Sequence, residues 1–120
     1  MGSPVRAFAH LIEPSLAFNG DAERLEELFQ DVEQGRAIFL QGERSVLIVE
    51  LIRDAEGASF NIWIVGGELA EALTLTPGLE ALARGAGSAF VSFRGGRKGW
   101  GRLMRRHGYA WNGEEFRKVL

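Results

Sequence analysis

Six of the chain's fourteen basic side chains fall between residues 94 and 109, and no acid lies among them. Arg94, Arg97, Lys98, Arg102, Arg105 and Arg106 can hold phosphate or carboxylate oxygens, the guanidinium forks doing so at two points. Arg102, Arg105 and Arg106 recur at three and four, so a helix puts them on one face. The run 95–99 lacks the spacing of a phosphate-binding loop. Histidine offers less: His10 and His107 are far apart and neither has a second ligand at metal spacing, so no metal site is expected. The chain has no cysteine, which excludes a thiolate nucleophile, a disulfide and a cysteine-ligated metal. Serine-nucleophile and dinucleotide fingerprints are absent. Charge, rather than a nucleophile, is the conspicuous chemistry.

That charge is segregated. Residues 1–93 carry six basic and fourteen acidic side chains, a net of −8; residues 94–120 carry eight against two, a net of +6. A basic end on an acidic body can draw in nucleic acid, phosphate or an acidic protein. It can equally pair with the acidic helix of its own chain or of a neighbouring copy. Trp100 is the one ring in the stretch able to stack on a base, and no nucleic-acid motif accompanies it.

The elements that position these groups follow from periodicity. The 120 residues make one domain, 1–120. Residues 4–18 have Phe8, Leu11, Ile12 and Leu16 at helical spacing, which Pro14 should end or kink. Residues 22–34 give the clearest helix, with Leu25, Leu28, Phe29 and Val32 in one stripe, acids on the other faces and Gly35 after it. Residues 36–41, 45–53 and 59–65 read as three antiparallel strands joined by tight turns. The third, Phe60 to Val65, is apolar almost throughout and therefore central. A helical turn at 68–73 follows. A helix then opens with Thr76 as cap and Pro77 in its first turn, burying Leu79, Leu82 and Ala83. Residues 88–93 form a strand, the stretch from Trp100 a short basic helix stopped by Gly108, and 110–120 a last strand broken at Asn112-Gly113. The fold class is α+β on one mixed sheet. No apolar run approaches the roughly 20 residues of a membrane span. No signal peptide is read at the N-terminus, so secretion by one is not expected.

Trp63-Ile64-Val65-Gly66-Gly67, Pro77-Gly78-Leu79-Glu80-Ala81-Leu82-Ala83-Arg84, Gly96-Arg97-Lys98-Gly99-Trp100 and His107-Gly108-Tyr109 resemble small proteins of tailed bacteriophages and prophages that are similar to the GNAT family of N-acetyltransferases. The resemblance implies a GNAT-like single domain in which the strand at 59–65 splays from the one at 88–93. It places the protein in the host cytoplasm or the virion. In acetyltransferases of this fold acetyl-CoA enters that splay. Ile64, Val65, Gly66 and Gly67 would then hold the cofactor, Glu50 would be the base and Tyr109 the acid that protonates the thiolate. Each has a structural alternative: an outward-facing strand residue for Glu50, an aromatic closing the motif for Tyr109. The family loop opens on a basic residue that this chain lacks, and Glu68 and Glu71 would stand beside the diphosphate. A like charge about 4 Å away costs a few kcal/mol at an effective dielectric of ~20. The expectation is therefore a non-catalytic protein without cofactor, binding a protein partner, another copy or other virion proteins through its basic helix, with nucleic acid a weaker candidate. An acetyl-CoA-dependent N-acetyltransferase is the alternative.

Overall fold

A computed structural model describes residues 4–55, 57–94 and 100–120. Two helices come first, α1 (Ala9–Phe18) and α2 (Leu25–Glu33), each preceded by a 3-10 turn. The strands β1 (Ala37–Gln41), β2 (Ser45–Asp54) and β3 (Gly57–Gly67) follow, then α3 (Leu69–Leu73), α4 (Thr76–Gly85), β4 (Phe90–Phe93), α5 (Trp100–Arg106), β5 (Ala110–Trp111) and β6 (Phe116–Val119). The strands form one mixed sheet in the order β1-β2-β3-β4-β6-β5. β1 to β3 are the antiparallel meander, β4 runs parallel to β3, and β6 closes antiparallel on β4. The α+β class and the mixed sheet are thus as the periodicity implies.

The sheet separates two apolar layers because side chains alternate across a strand. On one face Val46, Ile48 and Ile64 pack with Ile12, Leu16, Leu28 and Phe29 of α1 and α2. On the other, Leu47, Val49, Ile62 and Val91 pack with Leu73, Leu79, Ala83 and Met104 of α3, α4 and α5.

Several expectations need correction. Pro14 does not end α1, which runs through it. Fully buried Ile12 and Leu16 hold that helix on the sheet, while Pro14 sits on its exposed side. Thr76 does not cap α4 forward; its hydroxyl donates back to the Leu73 carbonyl at 2.8 Å. Leu82 is exposed, and the buried positions of α4 are Thr76, Leu79, Glu80 and Ala83. Residues 110–120 are a hairpin rather than one strand. The Asn112 side-chain oxygen accepts from the backbone N–H groups of Glu114 and Glu115 and folds β5 back on β6.

Candidate functional site

The pairing of β3 with β4 covers only three residues: Phe60 with Val91, Asn61 with Ser92, and Ile62 with Phe93. β4 then ends while β3 continues to Gly67, so among the described residues no strand pairs on that side with the segment from Trp63 onward. A bulge begins the divergence. Ile48 pairs with Ile64 and Val49 with Ile62, which leaves Trp63 as the extra residue. Trp63 and Ile64 consequently both belong to the α1–α2 layer, a re-aiming that bulges produce.

A transverse polar row pins the short pairing. Glu50, Asn61, Ser92 and Arg117 stand in register across β2, β3, β4 and β6. The Ser92 hydroxyl donates to Asn61 Oδ1 at 2.9 Å, and Asn61 Nδ2 donates to Glu50 Oε1 at 3.2 Å. Asn61 and Ser92 are buried, so each satisfies the other.

Side chains close the inner part of the splay. Ser15 of α1 donates to the Val65 carbonyl at 2.6 Å. Trp100 stacks on Phe93, with ring centroids 5.5 Å apart and planes 20° apart. The space left among Ser15, Trp63, Val65, Phe93 and Trp100 is about 10 Å³, room for a single water. Farther out, a cavity of about 250 Å³ is bordered by Leu11, Pro14, Gly66, Gly67 and Trp100. Both glycines are required by the protein itself. A β-carbon on Gly66 would fall 2.3 Å from the Leu11 carbonyl oxygen, and one on Gly67, whose φ is +81°, 2.0 Å from that of Arg44.

Glu68 and Glu71 do not stand unopposed. Glu71 Oε1 accepts from the Arg44 backbone N–H and the Ser45 hydroxyl, each at 2.7 Å, and so ties α3 to the β1–β2 turn. Glu68 lies 3.5 Å from the Arg44 guanidinium. The expectation that no cation offsets these acids is overturned: the chain folds Arg44 back onto them. The two donors, the Arg44 N–H first, hold the Glu71 carboxyl below its ordinary range. A carboxylate depressed on folding contributes stability above its unfolded pKa of about 4.3, and that contribution is lost as pH falls through the folded value. Glu71→Gln should therefore flatten the dependence of the denaturation midpoint on pH below about 4.3. An unchanged acid limb in urea titrations would refute this.

Glu50 and Tyr109 are not brought together. Glu50 is half-buried on the α1–α2 face, beside Asn61. Arg24, whose guanidinium carbon sits 4.5 Å from the Trp63 ring centroid, lies near enough for Glu50 to favour its charge. Tyr109 is buried in the opposite layer. Its hydroxyl donates to Glu80 Oε2 at 3.0 Å, and burial first, then the Glu80 charge, push its pKa well above the usual phenol value. Lys118 Nζ donates to Glu80 Oε1 at 2.8 Å and to the His107 carbonyl at 3.1 Å. Glu80 was legible in principle, since 76, 79, 80 and 83 recur at helical spacing, but a glutamate on an apolar stripe reads as surface.

The basic and acidic helices lie on opposite faces of the sheet and do not pair. Acids of the α2 segment take their own cations: Arg6 bonds Glu26 and Glu33, Arg24 bonds Glu27, and Arg36 bonds Asp31. On α5, Arg102, Arg105 and Arg106 are exposed and make no ion pair with the described residues. Arg94 is exposed too, but reaches Glu115 at 3.3 Å. Arg97 and Lys98 lie outside the described residues. Among the described residues no group of three metal-ligating side chains occurs, and no helix is long and apolar enough to cross a membrane. No family model, curated protein or solved structure matches this chain.

Proposed function

We propose that this chain is a non-catalytic binding protein on a GNAT-like scaffold, virion-associated as its resemblance to phage proteins implies, whose working surface is α5 and whose partner is polyanionic. The observation that carries the reading is the unequal treatment of charge. The acidic helix is balanced within the chain by Arg6, Arg24 and Arg36, whereas Arg102, Arg105 and Arg106 keep three guanidiniums in water with no described acid beside them. Their interaction with the rest of the fold is screened, so they are available to a partner at little cost to stability. The closure of the inner splay by Ser15 and Trp100 also supports a binding role over catalysis, since a pantetheine arm needs an open slot between β3 and β4.

The second reading, an acyl-CoA-dependent N-acetyltransferase, is favoured by the outer cavity of about 250 Å³ beside Gly66 and Gly67 and by the engagement of Glu68 and Glu71 with the β1–β2 turn. Calorimetric titration separates the two: acetyl-CoA should release no heat of binding, and micromolar affinity would return the enzyme. Binding of a polyanion at low salt should weaken by about tenfold or more in R102E/R105E, with an unchanged circular dichroism spectrum. Equal binding by that variant would remove α5 as the surface.

A further inference from the structure

Trp100 is already spent on Phe93, but a second indole is not. Trp111 on β5 is 51% exposed. It packs edge-on against the buried ring of Phe116, with centroids 5.1 Å apart and planes 62° apart. The same Phe116 ring lies under α5: a β-carbon on Gly101 would fall 3.4 Å from Phe116 Cζ and 3.5 Å from an Arg105 guanidinium nitrogen. Phe116 is thus covered by both α5 and Trp111. The exposed indole and Arg105 of α5 therefore both border Phe116, and Arg102 and Arg106 lie with Arg105 along one helix face.

We infer that this surface binds single-stranded nucleic acid, with a base stacked on Trp111 and neighbouring phosphates held by Arg102, Arg105 and Arg106. The inference rests on the polyanion-binding reading of α5 and names the polyanion. Two features favour a nucleic acid over an acidic protein segment. Guanidiniums suit phosphate oxygens, and a flat ring anchored by a buried neighbour is a stacking platform any base can use. Protein hot spots, by contrast, set an aromatic anchor in a desolvated pocket ringed by contacts that exclude water. Here the indole is half in water, and the Arg105 guanidinium lies by the Phe116 ring that anchors it. Val119, the most exposed large apolar side chain among the described residues, is three residues beyond Phe116 on β6, and strand alternation places it on the opposite face.

Titration of the full chain with a fluorescein-labelled dT12 oligonucleotide, followed by anisotropy, tests this. W111A should weaken binding roughly tenfold and W111F should retain most of it, because stacking needs a ring rather than an indole N–H. The affinity should fall with salt at a log–log slope of about −2 for three single-strand phosphates, and R105A should reduce that slope by about 0.7. Unlabelled poly-L-glutamate is the competing probe. Binding of dT12 that ignores W111A overturns the stacking assignment. If poly-L-glutamate binds through α5 and dT12 does not, the inference fails while the binding function stands. If neither polyanion binds at low salt, both fail.

Discussion

Glu80→Ala should lower the unfolding free energy by about 3 kcal/mol, because it strips a buried ion pair of one partner. Glu80 is 5% exposed and serves two groups, the Lys118 ammonium at 2.8 Å and the Tyr109 hydroxyl at 3.0 Å. Removing the carboxylate leaves a phenol without its acceptor and an ammonium with only the His107 carbonyl among these partners. The Lys118 side chain keeps 28% of its surface in water, which tempers the penalty. Glu80→Gln keeps an acceptor for Tyr109 and should cost about half as much. The double variant E80A/K118A should be less damaged than the two single losses added together, since no ammonium is then left without its counter-charge. Urea denaturation of the four proteins checks this, and additivity within about 0.5 kcal/mol would show that the pair is not coupled. The same cluster predicts an alkaline limit. Tyr109 has its pKa raised on folding, so its contribution is complete below the unfolded value of about 10 and is lost as pH climbs above it. Tyr109→Phe should reduce that alkaline loss.

Gly67→Ala and Gly66→Ala should each cost about 3 kcal/mol or more, combining overpacking against backbone with, at Gly67, a left-handed φ. The obstructing atoms are carbonyl oxygens of Arg44 and Leu11, 2.0 and 2.3 Å from the new β-carbons. Backbone cannot swing aside as a lysine tip would. Gly78 of α4 is the control: nothing lies within 4 Å of its β-carbon position and its φ is not positive. Gly78→Ala should therefore stabilise by about 0.5–1 kcal/mol. The comparison bears on function as well. Glycines kept for a cofactor would tolerate alanine in the apo fold and lose only binding. Full stability of the Gly66 and Gly67 variants, measured by thermal melts, would contradict the packing role and favour the enzyme.

What the amino-acid order determined by itself was local. The stripe Leu25, Leu28, Phe29 and Val32 made α2, the apolar runs at 45–53 and 59–65 with the turn between them made two strands of the meander, and the near-continuous run from Phe60 to Val65 made β3 central. These features depend on neighbours two to four positions apart, and their periods are visible in a string of letters. The basic cluster was equally legible, because charge is a property of composition. Tertiary structure decided every point that depends on a partner far along the chain. Arg44 meets Glu68 across 24 residues, Ser15 meets Val65 across 50, and Glu80 meets Lys118 across 38. None of these separations leaves a periodic trace, so two acids read as an obstacle turned out to hold a turn, and Glu80, to which the periodicity assigned no role, turned out to be core. The exposure of Trp111 is of the same kind. Whether an aromatic on a short edge strand is buried depends on what covers it, and here α5 covers Phe116 and leaves the indole in water.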